Sequence, residues 1–366
     1  QTPENAMTNR TGPGKSEALP PTMRAARIRC NSVVSEGSEP LAMEQVARPE
    51  PADGEVLIRV TACGVCHTEL DEIEGRTPPP ELPMTPGHQV VGEVLREGAG
   101  CRLGLLGRRV GVAWIHSACG ACRWCRDGRE NLCPEFRATG RDAPGGYAEF
   151  MTVPEAFAHP LPKAIGDLEA TPLLCAGAVG YRALSLCALE NGQRLGLTGF
   201  GASGHLVLQM ARHLYPDSPV SVFARSATER DTVEKPPAPL DAVIDTTPAW
   251  LPVLSALDAL APGGRLVVNA IRKESGDRER LLELDYERHL WREKTLSTVA
   301  NVTRADVRAC LELAATIPLR PSVTPYPLVE ANRALIELKR GHVRGAKVLG
   351  ASDGAVTLAV TAVTVI

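Results

Sequence analysis

The chain has no marked excess of either charge: 40 Lys and Arg stand against 43 Asp and Glu, a net −3 at pH 7. It has no basic patch and no long run of one sign, so no nucleic-acid partner is expected. No apolar run reaches the roughly 18–20 residues that cross a bilayer, so no membrane partner is expected either. The first twenty-two residues are polar and interrupted by Pro and Gly. They lack the apolar centre of a secretory signal and read as a disordered leader, residues 1–22. Without such a signal the expected location is cytoplasmic. The eleven cysteines, an odd number, then suit metal-binding thiols in a reducing compartment better than disulfides.

What is present is concentrated. The stretch Thr61–Asp71, TACGVCHTELD, holds two cysteines, a histidine, two threonines and two carboxylates directly after a strand-like run. Such a collection of soft ligands and proton carriers points to a metal or a redox task. Cys63 and Cys66 could form a CxxC redox pair. The competing reading adds Pro86-Gly87-His88 and Leu174-Cys175-Ala176-Gly177. A Cys, a distant His and a distant Cys make three ligands and leave a fourth zinc position open, as catalytic sites do. Cys63 is then an extra cysteine close to the metal.

Cys119, Cys122, Cys125 and Cys133 are spaced by three, three and eight residues. Four thiolates at that spacing wrap one tetrahedral ion and close its coordination sphere, so this site reads as structural. Iron–sulfur is the rival to zinc. Gly199-Phe-Gly201-Ala-Ser203-Gly204 is a GxGxxG run placed after one expected strand and opening an expected helix. That context suits a dinucleotide: the glycines admit the pyrophosphate, and the helix N-terminus offers free N–H groups.

At 366 residues and 44% hydrophobic content, the chain has room for two domains and a large core. Up to about Phe150, short runs of β-branched residues alternate with Gly and Pro, including strands at Met23–Ile28 and Glu55–Ala62. Leu168–Leu189 has helical spacing and predicts one or two helices. Strands are then expected at Arg194–Thr198, Val220–Ala224, Ala242–Asp245, Arg265–Asn269 and Thr295–Ala300. Helices are expected at Ser203–Leu214, Leu251–Leu260 and Asp306–Thr316. This alternation predicts an α/β fold with a parallel sheet covered on both faces. A helix at Val329–Arg340 and a strand at Ala346–Gly350 follow. The tail 351–366 is chargeless and β-branched, and has no functional reading.

In this order, Cys66-His67-Thr68, Pro86-Gly87-His88, the four-cysteine lobe, Leu174–Gly177 and Gly199–Gly204 resemble the zinc-dependent alcohol dehydrogenases of the medium-chain dehydrogenase/reductase superfamily. The resemblance runs from about Met23 to Gly350. It implies a GroES-like β-rich catalytic domain in two pieces, residues 23–168 (with the zinc lobe at 119–133) and 301–350, around a doubly wound Rossmann domain, residues 169–300. It implies Cys66, His88 and Cys175 as catalytic zinc ligands, hence two zinc ions per chain. The implied reaction is reversible hydride transfer between an alcohol or carbonyl held at the zinc and a nicotinamide cofactor. A small alcohol or aldehyde is then the partner, and a homo-oligomer (dimer or tetramer) is expected. Thr68 matches the hydroxyl that takes the alcohol proton, His67 a pyrophosphate contact, and Glu69 an acid that orients ligands. Trp114 matches a substrate-pocket position, and could equally be core. Reduction of other carbonyls or activated alkenes is the alternative activity. A non-enzymatic zinc-ribbon interaction protein is the distant one.

The sequence departs from the family at three places. Asp71 stands where many members carry a proton-relaying histidine, and a carboxylate could relay too. Gln89 replaces a common Glu after His88. Only about seventeen residues, including Pro236-Pro237-Ala238-Pro239, separate the second strand of the Rossmann unit from the next, so a shortened third-strand region is expected. The second strand ends in Arg225-Ser226 without an acid. An acid there would bind the ribose hydroxyls of NAD, whereas an arginine and a serine suit a 2′-phosphate. NADP(H) is therefore the expected cofactor, with NAD(H) possible.

Overall fold

The computed structural model describes residues 10–11, 19–223, 239–317, 319, 321–341 and 345–350. In chain order the first strands are β1 (Arg10–Thr11), β2 (Thr22–Arg27), β3 (Ala42–Ala47), β4 (Glu55–Val65), β5 (Val90–Glu97), β6 (Arg109–Val112), β7 (Ile115–Ser117), β8 (Arg137–Ala138), β9 (Phe150–Pro154) and β10 (His159–Pro160). The later ones are β11 (Leu195–Thr198), β12 (Val220–Phe223), β13 (Leu240–Asp245), β14 (Leu260–Val268), β15 (Thr295–Thr298), β16 (Val323–Pro327) and β17 (Ala346–Gly350). Helices near the site are α1 (His67–Ile73), α2 (Arg123–Arg126), α3 (Asp167–Pro172), α4 (Ala178–Cys187) and α5 (Ala202–Leu214).

The first sheet runs β10-β6-β5-β4-β17-β16, with β9 also pairing to β4 and β1 to β5. Its centre is β4, where Val56, Ile58, Val60 and Ala62 are all buried. Such β-branched, inward-facing positions are what a packed strand requires. The return strand β17 lies antiparallel on β4 with Leu349 opposite Cys63, so the chain's last described strand supports the end of β4 that leads into Cys66. Within the segment expected to be disordered, Arg10 and Thr11 pair with Glu97 and Arg96, and Thr22 opens β2. This corrects the leader expectation at those residues.

The second sheet is parallel throughout, in the order β12-β11-β13-β14-β15. Both of its faces are covered. Ala242 and Ile244 of β13 join the core cluster that contains Leu184 of α4 and Leu206 and Met210 of α5. The alternate residue Val243 packs with Val253 and Leu257 of the helix Leu251–Ala259. Alternation along one strand therefore feeds two helical layers, as a doubly wound sheet demands. The chain leaves β11 in opposite directions towards β12 and β13. This makes the C-terminal ends of β11 and β13 the switch point where ligands bind in such sheets. The segment where a shortened third strand was expected, 224–238, lies outside the described residues, as does the tail 351–366.

The expected helix Leu168–Leu189 is one continuous helical run with a wide π turn, Leu173–Gly177, between α3 and α4. By length and composition Asp167–Cys187 could cross a membrane. Its Leu173, Leu174, Ala183 and Leu184 are buried in the protein, which makes it a core helix.

Candidate active site

Cys66 is the residue at which β4 ends and α1 begins. Its N–H donates to Glu69 Oε2 at 2.8 Å, which caps the helix. The same carboxylate reaches the loop above with its other oxygen: Glu69 Oε1 lies 2.6 Å from His88 Nδ1. Gly87 precedes His88 at φ +101°, a conformation open to glycine, and a Cβ there would lie 2.4 Å from the Tyr147 ring. Nδ1 is thus the donating nitrogen, and buried Nε2 has no partner among the described residues. Cys175 comes from the π turn, whose extra residue per turn re-aims a side chain. The ligand atoms of Cys66, His88 and Cys175 all lie within 4.8 Å of one another. Thr68 is buried, with its hydroxyl 3.7 Å from Cys66 Sγ.

The electrostatics of the three groups are interdependent. A hydrogen bond from Cys175 pushes the Cys66 thiol well below its ordinary value, against burial and with help from His88. Cys175 is pushed well up, by that same bond and by burial. Burial pulls His88 down, but Glu69 and Cys66 outweigh it and hold the ring well above its usual range. Two thiols and an unpartnered imidazole nitrogen form a donor set that fits zinc with one position open. The Glu69 contact to Nδ1 is the outer-shell bond that zinc-binding histidines need.

The second cluster is local. Sulfur–sulfur distances are 3.9 Å for Cys119–Cys125, 3.6 Å for Cys122–Cys125 and 3.5 Å for Cys119–Cys133. A tetrahedron of thiolates around zinc has edges of about 3.8 Å, so the four sulfurs match that shape. Backbone N–H groups of Ala121 and Cys122 point at Cys119 Sγ and bring that thiol down to about 7. Gly120 and Gly128, at φ +72° and +68°, let the lobe turn tightly around α2. The lobe is tied to the rest of the chain through Asn131, which donates to Ala300 O at 2.7 Å, and through Glu130, which pairs with Arg304 at 2.9 Å.

The glycine run sits at the switch point. Gly199 has φ +79°, and a Cβ on it would lie 2.6 Å from Thr246 Oγ1. A Cβ on Gly204 would lie 2.9 Å from Gly199 O. Gly201 precedes α5, and Ser203 is in its first turn. Arg225 and Ser226 lie outside the described residues. His67 is exposed at the first position of α1. Trp114 is partly exposed, its ring 5.1 Å from Phe136 and under the Arg141 guanidinium at 5.3 Å, so it is not sealed in the core. Gln89 is buried and leans over Gly64, where a Cβ would meet its Oε1 at 2.5 Å.

Three features were not found in the sequence. Asp71 is fully buried, and its carboxylate accepts from Arg272 with both oxygens and from Arg76 Nε at 2.6 Å. A carboxylate so engaged has less freedom to carry protons than the relay expectation supposed. Glu72 is buried with neither oxygen partnered among the described residues, and burial followed by the Glu69 charge pushes it well above the carboxylate range. Asp245, at the end of β13, accepts from Thr198 Oγ1 at 2.6 Å and from Lys273. Arg272 and Lys273 are far from these partners in the chain, so no spacing rule could have linked them.

Known proteins give the fold and site a family. The description "Alcohol dehydrogenase GroES-like domain" matches residues 52–163. A probable alcohol dehydrogenase AdhA of Mycobacterium tuberculosis (strain CDC 1551 / Oshkosh) is 42% identical over 351 residues, 91% of this chain and 99% of that protein. The structure of a cinnamyl alcohol dehydrogenase from Sorghum bicolor superposes with a TM-score of 0.76 at 26% identity, covering 90% of this chain and 97% of that one. A thermostable alcohol dehydrogenase from Pyrobaculum aerophilum, described with cobalt and zinc bound, gives 0.78 at 24% identity, covering 90% and 99%. That last likeness bears on the fold. Taken with the identity along nearly the whole AdhA sequence, these matches establish that the chain belongs to the zinc-dependent alcohol dehydrogenases of the medium-chain dehydrogenase/reductase superfamily.

Proposed function

We propose that the protein catalyses reversible hydride transfer between a small alcohol or aldehyde and a nicotinamide cofactor, with two zinc ions per chain. The observation that carries this reading is the meeting of Cys66, His88 and Cys175, drawn from three distant segments, within 4.8 Å. These three would hold the catalytic ion, and Cys119, Cys122, Cys125 and Cys133 the structural one. When bound, catalytic zinc supplies Lewis-acid polarisation of the substrate oxygen. The chain's own residues do the rest. Glu69 fixes the His88 tautomer so that Nε2 faces the metal. Thr68, beside Cys66, takes the alcohol proton. Trp114, partly exposed, would line the substrate side. Gly199, Gly201, Ser203 and Gly204 would receive the pyrophosphate at the start of α5, with His67 as a further contact. The relay role expected of Asp71 competes with its two arginine partners, and the pH profile of Asp71→Asn separates the two.

In this reading residues 23–168 and 301–350 form the catalytic unit, and 169–300 the cofactor unit. Arg225 and Ser226 favour NADP(H) over NAD(H), the protein works as a cytoplasmic homo-oligomer, and other carbonyls or activated alkenes are the alternative substrates. Nicotinamide absorbance with a panel of alcohols, aldehydes and alkenes tests the reaction. Turnover confined to alkenes would overturn the alcohol reading. For the cofactor, kcat/KM with both nucleotides is measured on the parent and on Arg225→Ala. The variant is expected to lose about 1–3 kcal/mol with NADP(H) only, the range for a hydrogen bond to a charged group. A parent that prefers NADH removes Arg225 from the assignment.

A further inference from the structure

Helix α1 carries the residues on which the proposed chemistry depends, since it follows Cys66 and contains Thr68 and Glu69. Its Asp71 has no exposed surface, yet its carboxylate is bound from outside the helix by Arg272, which lies 201 residues away in the loop after β14. The next residue of that loop points elsewhere. Lys273 donates to Asp245, to Thr247 O at 2.8 Å and to Ala249 O at 3.0 Å. Asp245 is the last residue of β13, and its other oxygen takes the hydroxyl of Thr198, the residue before Gly199. Glu274 N–H closes the loop on Pro248 O at 2.7 Å. Two adjacent cations therefore grip two different structures: one holds the helix of the metal centre, the other the strand end at the glycine run.

We propose that Arg272 is a positioning residue, the inter-sheet half of a clasp that holds α1 against the cofactor-binding sheet and so sets both the alignment of hydride transfer and the residence of the cofactor. The proposal rests on the dehydrogenase reading of this site. An exposed ion pair would carry little weight. Here one partner is wholly buried, so breaking the pair leaves a buried carboxylate with fewer donors, which is the costly case. Arg76 still holds that carboxylate at 2.6 Å, so loss of Arg272 loosens the two sheets rather than unfolding α1. Hydride transfer between groups on opposite sides of a cleft is sensitive to displacements of an ångström, which cost on the order of 100-fold.

Two measurements test the clasp on the full-length, zinc-replete protein. The first is amide hydrogen exchange of residues 67–73 without cofactor, which depends on the structure and not on the assigned reaction. The second is release of reduced nicotinamide cofactor, followed by its fluorescence. Arg272→Gln is expected to raise exchange in α1 and to speed cofactor release about tenfold, while the pH profile of kcat/KM keeps its midpoints. Arg272→Lys is expected to restore most of both. Unchanged exchange in α1, release within twofold of the parent, or failure of the lysine to restore either would overturn the proposal. If the parent turned over no alcohol, the dehydrogenase reading would fall while the exchange result still decided the clasp.

Discussion

His159 offers a test of the fold that is independent of catalysis. It lies in β10, opposite Gly111 of β6, with 2% of its surface exposed and Nε2 without a partner among the described residues. Burial, reinforced by the Arg308 and Arg304 charges, drives its ring down to about 3, from an ordinary value of 6.5. The sign follows from proton counting. Below pH 6.5 the unfolded chain binds a proton that the folded ring refuses, so stability is complete above 6.5 and is lost progressively as pH falls towards 3. Each unit is worth about 1.4 kcal/mol, so at pH 5, one and a half units below 6.5, the penalty from this residue alone is about 2 kcal/mol. His159→Gln removes the proton uptake. Its packing cost shifts the whole curve but not its slope. Urea unfolding of parent and variant between pH 7 and pH 5, with zinc present, gives the difference. The parent is expected to lose about 2 kcal/mol more than the variant over that range. Parallel curves would mean that the ring is protonated in the fold, and the packing argument around β10 would fail.

Other outcomes follow from the two metal clusters and the cleft. Cys66→Ser is expected to lose one equivalent of zinc by elemental analysis and all turnover, with little change in melting temperature, whereas Cys119→Ser lowers the melting temperature because the lobe folds around its ion. Two variants that behave alike would abolish the division into catalytic and structural sites. Thr68→Ala is expected to cut hydride transfer roughly 100-fold or more while cofactor affinity holds, measured by single turnover and fluorescence titration. Gly199→Ala places a Cβ 2.6 Å from Thr246 Oγ1 at a φ of +79°. Cofactor affinity should fall at least about tenfold with zinc content intact, and an unchanged affinity would move the pyrophosphate elsewhere.

How much of this was legible in the sequence depended on how local the signal was. Four cysteines within fifteen residues and a glycine run between strand and helix are local patterns, and the structure brings both together where the spacing suggested. The parallel strands were also readable, with shifts of a few residues, because strand–helix alternation leaves a periodic trace. Cys175 was a different case. The run Leu168–Leu189 reads as plain helix, and nothing in its composition announces a π turn, so Cys175 entered the candidate set as a distant cysteine with no local geometry to aim it. The partners of Asp71 were beyond reach. Its position drew attention as a substituted relay, but a guanidinium 201 residues downstream leaves no periodic or spacing signal. The pairing of Arg10 and Thr11 with β5 was missed for a similar reason, since two polar residues carry no strand pattern of their own. The cofactor choice rested on Arg225 and Ser226, which lie outside the described residues.

The two cysteine clusters also differ in how they hold negative charge, and that difference bears on what each does for the protein. In the lobe, thiolate charge is met by the chain itself, through the N–H groups of Ala121 and Cys122 at Cys119 and of Cys119 at Cys133. Backbone geometry would support an ion there, as the proposed structural site requires. Around Cys66 the surroundings are acidic instead. Glu69 and Glu72 are both buried, and neither oxygen of Glu72 has a partner among the described residues; burial first, then the Glu69 charge, pushes Glu72 up, whereas the bond from Cys175 holds the Cys66 thiol well down. A pocket with this balance favours a positive charge at its centre, and protons and a divalent cation compete for it. The α1 environment is fastened by Glu69 to His88 and by Asp71 to Arg272, as well as by the contact of Thr68 with the Cys66 thiol.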